Sequence, residues 1–279
     1  MTAIKDVRSP AEIYDAQFVP ALFAQWGPVV LDAAAVREND RVLDVACGTG
    51  ALTLASAERV GRGGSVVGLD VNPDMLTVAR RKSTQVEWME GKAEALPLPD
   101  NSFDAVVSQF GFMFFDDKPQ ALREMKRVLR PGGTLAVAVC DAVDHSPGYG
   151  AFARLLDRLF GSDVGNAFRA PFALGDPERL ALICREAGIE DARVMQHHRN
   201  VCFESIDALV STERACVWTL GGILDDEQFA RLLDESRTAL KPFMTGREAI
   251  QFDMPSLIVT VQDAQPHTAA ALSSSRSAT

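Results

Sequence analysis

The chain has 279 residues, of which 47% are hydrophobic and 24% charged, with 20 Gly and 14 Pro. That balance belongs to globular proteins and excludes collagen-like, coiled-coil and wholly disordered chains. With 28 basic and 38 acidic residues the formal net charge is −10, which speaks against nucleic acid as a partner, because phosphate contacts need a basic surface. No stretch reaches the roughly 20 apolar residues of a membrane helix. The opening run MTAIKDVRSPAEIYD carries early charges and no apolar centre, unlike a secretory signal. The five cysteines (Cys47, Cys140, Cys184, Cys202, Cys216) are scattered and include no CxxC pair. They read as reduced thiols of a cytoplasmic protein, with neither a disulfide framework nor a metal site.

In chain order, residues 10–36 read as helical, with Pro20 and Pro28 dividing them into short pieces. Arg41 to Ala46 reads as a strand, followed by a glycine turn and a helix from Ala51 to Val60. Val66 to Asp70 is a second strand and Pro73 to Lys82 a second helix; Val86 to Glu90 is a third strand. Phe103 to Ser108 is a fourth, then come the helix Pro119 to Leu129, a Pro131-Gly132-Gly133 stop, and the strand Thr134 to Cys140. Near-continuous apolar strands alternating with helices imply a parallel sheet covered on both faces. Beyond Cys140, helices are expected over Gly148 to Phe160, Asp176 to Ala187, Ser205 to Thr219 and Asp225 to Leu240. Two late strands, Asp191 to Phe203 and Ala249 to Val261, read as a hairpin-like pair interrupted by an insertion, with Pro255 at an edge or a bulge. The expected organisation is an N-terminal helical lid segment (1–36), a main α/β domain (37–263) with helical cap insertions at about 145–175 and 205–245, and a disordered Ser/Ala/Thr-rich tail (264–279).

The informative segment is Val42-Leu-Asp-Val-Ala-Cys-Gly-Thr-Gly-Ala-Leu-Thr53. Gly48 and Gly50 let a backbone approach a ligand closely at the carboxyl edge of a sheet. A GxG turn alone serves a dinucleotide, a mononucleotide or only a tight turn. The dinucleotide fingerprint expects a small residue where Thr53 stands, and no GK[ST] sequence for pyrophosphate occurs. Asp70 closes the second strand 20 residues after Gly50, where a carboxylate can accept both hydroxyls of a ribose. The site therefore looks built for an adenosine without a phosphate chain.

These stretches, with GKAEALPLPDNSFDAVVSQFGFMFF and ALREMKRVLRPGGTL, resemble the class I S-adenosylmethionine-dependent methyltransferases of the ubiquinone/menaquinone type (methyltransferase type 11) over about residues 40 to 140. The resemblance implies a doubly wound, seven-stranded, mostly parallel sheet of Rossmann-like type, with N-terminal helices and a helical insertion as a lid. It implies S-adenosyl-L-methionine as cofactor and S-adenosyl-L-homocysteine as product. At matching positions, Asp44, Ala46, Gly48 and Gly50 would surround the methionine part and Asp70 would hold the ribose. Val71 and Met75 would flank the adenine, and Ala93 would present backbone to its edge beside Lys92 and Glu94. Gln109 would lie beside the methionine end. Many relatives carry an acidic residue where Lys92 stands, and a lysine cannot accept the adenine amino hydrogen bond. Either backbone reads the adenine here or Lys92 points to solvent.

The expected reaction is methylation of an O, N or C atom of a small apolar or aromatic metabolite. A non-catalytic S-adenosylmethionine sensor is the alternative, and a nicotinamide-dependent oxidoreductase is disfavoured by Thr53. Candidate bases are Asp141 and His145, just after the fifth strand, and His197 or His198, of which alternation lets only one face a pocket. Aromatics from Tyr14 to Trp26, the run Phe110 to Phe115, and Phe152, Phe160, Phe168 and Phe172 are candidate walls. The expected partner is a small-molecule acceptor, with no nucleic acid and no membrane; a homodimer is left open.

Overall fold

The computed structural model describes residues 9–263; the tail expected to be disordered over 264–279 lies outside them. Ser9 opens the described chain as a helix cap: its hydroxyl accepts the Glu12 N–H and Glu12 returns a bond to the Ser9 N–H. Helix α1 (Pro10–Ile13) leads directly into a π-helical segment (Tyr14–Phe23), a 3-10 turn (Ala24–Trp26) and α2 (Gly27–Ala33). Pro20 does not break this run. It sits inside the wider π-helical turns, which tolerate a missing N–H and a ring that would clash in a regular α-helix. Pro28 lies in the first turn of α2, where its fixed φ is already helical.

The sheet strands and covering helices then alternate: β1 (Arg41–Val45), α3 (Ala51–Val60), β2 (Ser65–Asp70), α4 (Pro73–Lys82), β3 (Glu87–Glu90), β4 (Phe103–Gln109), α5 (Lys118–Val128) and β5 (Leu129–Cys140). β5 begins at Leu129 rather than Thr134. Pro131 and the glycines join the sheet through a register shift opposite Phe103 and Ala105 instead of standing apart from it. After α6 (Pro147–Phe160), α7 (Ser162–Arg169) and α8 (Pro177–Glu186), the late strands differ from their expected form. The first is split into β6 (Arg193–His197) and β7 (Asn200–Phe203). Following α9 (Ile206–Ala215), α10 (Asp226–Ala239) and the short β8 (Met244–Thr245), the second is split into β9 (Ala249–Asp253) and β10 (Ser256–Gln262).

The main sheet has the order β3-β2-β1-β4-β5-β10-β6, with β10 antiparallel to both neighbours and every other pairing between β1 and β5 parallel. β7, β9 and β8 form a second, three-stranded sheet. The late strands do pair as one hairpin, Arg193 opposite Thr260 and Phe203 opposite Ile250, but it passes from one sheet to the other at Met254-Pro255. Pro255 is thus neither at an edge nor in a bulge. Lacking an N–H it cannot extend the ladder, and its carbonyl instead accepts from Asp141 N–H.

Val42, Leu43, Val106, Val137 and Val139 are wholly buried, as strands covered on both faces require. Strand order reverses between β1 and β4, so the chain leaves these neighbours in opposite directions and opens a crevice beyond their carboxyl ends.

Candidate active site

The turn after β1 is held in an uncommon conformation. Ala46 (φ 60°) and Phe110 (φ 56°), which follow β1 and β4, both occupy the left-handed region although neither is glycine. Such strain gathers where surrounding structure enforces it for function. Gly50 (φ 88°) caps α3, and a Cβ there would stand 2.5 Å from the Trp88 ring.

Two buried carboxylates frame the turn. Asp70 accepts the Gly48 N–H at 2.7 Å on one oxygen and the Asn72 N–H at 2.8 Å on the other; burial raises its pKa, opposed by those N–H groups. Asp44 Oδ2 accepts the Thr53 hydroxyl at 2.6 Å. Its other oxygen, Oδ1, is buried with no partner. Burial, with the nearby negative charge of Asp70, pushes the Asp44 carboxyl up to about 7. A buried carboxylate oxygen without a donor is costly, and a bound cation would relieve it. Thr53, the residue that departs from the dinucleotide fingerprint, is therefore the side chain that fixes Asp44.

Three cavities meet at Ala46. The smallest, about 20 Å³, is bordered by Asp44, Thr49, Tyr14 and Gln109. A second, about 150 Å³, lies between Asp70, Val71, the 91–94 segment and Phe114. The third, about 270 Å³, extends from Ala46, Gly48 and Asp70 to Tyr149, Phe168 and Phe172. Ten of the expected cofactor residues lie on these walls: Asp44, Ala46, Gly48, Asp70, Val71, Met75, Lys92, Ala93, Glu94 and Gln109. Gly50 does not; its glycine character answers to backbone twist and to Trp88. Lys92 is exposed while Ala93 is buried, and Glu94 braces the opposite wall by accepting the Asp116 N–H at 2.9 Å. Gln109 donates to the Phe23 carbonyl at 3.0 Å, tying the N-terminal segment to β4.

Aromatic rings make up much of the largest of these three cavities. Tyr14 stacks on Phe23 at 5.2 Å, and Phe23 meets Phe110 at 5.5 Å. Tyr149 meets Phe168 at 5.6 Å and Phe172 at 5.7 Å. Phe112 and Phe152, two of the expected wall residues, are instead core residues behind these rings, and Trp26 packs edge-on beneath Phe110.

The expected bases stand elsewhere. Asp141 accepts the Ala142 N–H at 2.7 Å, lies 3.1 Å from His145 Nδ1 and also accepts from Gln196. It is a tie between β5 and β6. His198 pairs with Asp253 at 2.7 Å on the exposed side of the hairpin. None of Asp141, His145, His197 and His198 lines any of the three cavities. A carboxyl that does, besides those already named, is Glu213, which the sequence did not single out. The sign was present: Ile206, Leu209, Val210 and Glu213 share one helical stripe, and all four are buried.

Residues 43–137 match the family model described as a methyltransferase domain. A demethylmenaquinone methyltransferase of Listeria monocytogenes is 35% identical over 192 residues, 63% of this chain and 81% of that protein. A ubiquinone/menaquinone biosynthesis C-methyltransferase, UbiE, of Hahella chejuensis is 48% identical over 118 residues, 40% of this chain and 47% of that protein. Among solved structures, the YcgJ protein of Bacillus subtilis shares the fold with a TM-score of 0.57 at 19% identity, covering 87% of this chain and 99% of that one. With the matched methyltransferase domain and these relatives, the doubly wound sheet, its glycine turn and the acidic end of β2 belong to an enzyme that takes its methyl group from S-adenosylmethionine. The chain belongs to the class I S-adenosylmethionine-dependent methyltransferases of the ubiquinone/menaquinone type. No helix among the described residues is long and apolar enough to cross a membrane.

Proposed function

We propose that this enzyme methylates a ring carbon of an apolar, hydroxylated aromatic acceptor of the quinone-related class. The observation that carries this reading is the largest of the three cavities: it shares Ala46 with the two smaller ones and is walled by Tyr14, Phe110, Phe114, Phe168, Phe172 and Trp218. Rings of this kind favour a flat apolar partner. The quinone class of the Listeria and Hahella relatives supports the acceptor, and the C-methyltransferase of Hahella supports the carbon.

The residues present fit the cofactor. Asp44 Oδ1, buried and without a donor, is the partner for its α-ammonium group. Asp70 holds the ribose while still accepting from Gly48 and Asn72, since each carboxylate oxygen takes more than one hydrogen bond. Val71 and Met75 border the adenine, which is read by Ala93 backbone, with Glu94 and Lys92 at the rim and Lys92 turned to solvent. Gly48 and Gln109 flank the methionine end. When bound, S-adenosylmethionine supplies a methyl group on a sulfonium, ready for in-line displacement. The chain's own task is alignment, which is worth on the order of 7–11 kcal/mol, and exclusion of water. The N-terminal segment to residue 36 and the caps at about 145–175 and 205–245 serve as the lid: Tyr14 and Phe23 come from the first, Phe168 and Phe172 from the second, Glu213 and Trp218 from the third.

The test is incubation with methyl-labelled S-adenosylmethionine and 1,4-dihydroxynaphthalene kept reduced. Label on the ring carbon beside a hydroxyl is expected. Label on oxygen overturns the choice of atom, and no transfer despite cofactor binding overturns the acceptor class.

A further inference from the structure

The mechanism above leaves one carboxyl of its cavities buried and unused. Glu213 is 2% exposed, lies on the buried stripe of α9 and borders the same cavity as Ala46 and Asp70. Its Oε2 has no hydrogen-bond partner, and neither has the Tyr149 hydroxyl, although the two groups are close enough to influence each other. The groups acting on the Glu213 carboxyl are Tyr149 from α6 and Thr219 from the segment after α9; Cys140 at the end of β5 and Cys216 feel its charge. None of them is cationic. Burying a carboxyl without a counter-charge is unfavourable, and a purely structural position would be better served by an apolar side chain in an apolar helix stripe.

We propose that Glu213 is the general base for the acceptor, its Oε2 taking the proton of the acceptor hydroxyl, with Tyr149 as a second polar contact for the same oxygen. This rests on the proposed acceptor being a hydroxylated aromatic. Glu213 accepts the hydroxyl proton and becomes neutral. The oxyanion shares its charge with the adjacent ring carbon, which bonds to the methyl carbon as the methyl–sulfur bond breaks and its electron pair stays on sulfur. The methylated carbon's own hydrogen leaves as a proton to solvent, its bonding pair restoring the ring, and Glu213 returns its proton to the oxygen. One proton is released overall. Burial pushes the Glu213 carboxyl up to about 7, and a base is most effective when it titrates near the working pH. The two thiols and Tyr149, all raised by burial, stay neutral there and leave Glu213 as the titrating group in that end of the cavity.

The experiment compares the wild-type enzyme with Glu213→Gln, Glu213→Asp and Tyr149→Phe in two measurements. With 1,4-dihydroxynaphthalene, E213Q is expected to lower kcat by about 10²- to 10⁴-fold near neutral pH without altering S-adenosylmethionine affinity, with E213D intermediate. The wild-type rate should rise through a pH of about 7, and this limb should be missing in E213Q, whose rate recovers only where the acceptor ionises in solution. Independently of turnover, 4-nitrophenol added near neutral pH with S-adenosylhomocysteine present should show more phenolate absorbance than the same phenol free in the same buffer, together with a new protonated-carboxyl infrared band, and both excesses should be lost in E213Q. Retention of more than a tenth of the rate with an unchanged pH profile, or neither excess on adding the phenol, overturns the proposal. Band changes without methyl transfer to the naphthalenediol support the base and overturn the acceptor class instead.

Discussion

Replacing Asp44 with asparagine should make the protein more stable and a poorer binder at once. Burial pushes the carboxyl up to about 7 against an ordinary value of 3.8, a difference of about 3 that corresponds to about 4 kcal/mol at about 1.36 kcal/mol per pH unit. The sign follows from proton binding. A raised carboxyl pKa means that the folded state keeps a proton the unfolded state releases. Its stabilising share is fully present below about pH 4 and is lost as pH rises through about 7. Above that, the wild type carries a buried negative charge with one unpartnered oxygen. Asparagine removes the charge and can still accept from Thr53, but it buries an amide N–H₂ with no acceptor, which costs about 1–3 kcal/mol. The net expectation at about pH 8 is a gain of about 1–3 kcal/mol, or roughly 2–4 °C in Tm per kcal/mol. At about pH 5 the wild type is already protonated and the advantage should vanish or reverse. Cofactor binding goes the other way. Loss of a charge-assisted bond to the ammonium costs about 1.5–3 kcal/mol, about 10- to 150-fold in Kd. Wild-type affinity should weaken as pH falls below about 7, and that of Asp44→Asn should not. Thermal unfolding of the free protein and calorimetric titration with S-adenosylmethionine, each at both pH values, measure the two effects. A variant less stable than wild type at high pH, with unchanged affinity at both, would refute the assignment of an uncompensated carboxylate.

Other outcomes follow from the same contacts. Asp70→Ala should weaken S-adenosylmethionine binding by about 1–3 kcal/mol through unpaired ribose hydroxyls; an unchanged Kd removes it from the site. Thr53→Val deletes the hydroxyl that holds Asp44 ionised, so the pH midpoint of cofactor affinity should move upward, and a fixed midpoint counts against the coupling. Gly50→Ala should destabilise by about 2–4 kcal/mol, combining left-handed strain with the Trp88 contact. Gly188→Ala, at the end of α8, is its control: φ is again positive but a Cβ there meets nothing within 4 Å, so it should cost about 1–2 kcal/mol. Equal losses in chemical denaturation would show that the indole plays no part.

Patterns carried by neighbours in the chain were readable before any coordinates. Apolar runs of five or six residues separated by capped helices announce a sheet covered on both faces. The left-handed turn after β1 needs glycine at Gly48 and Gly50, and Asp70 stands where β2 ends. α3 and α4 have the expected bounds, Ala51–Val60 and Pro73–Lys82, because their start signals (Gly50 at one, Asn72 and Pro73 at the other) are local. What depended on distant parts of the chain was not readable. That Pro255 would pass a hairpin from one sheet into another depends on the carbonyl it offers to Asp141. Asp141 and His145 had the right chemistry beside the right strand, yet packing turned them into a tie to Gln196. Glu213 could be seen only as a carboxyl on the apolar stripe of its helix, and what encloses it beside Tyr149 is the packing of distant segments around one cavity. Periodicity and turn chemistry are properties of a few consecutive residues. Burial and the shift of a carboxyl toward neutrality belong to the cavity that distant segments close together.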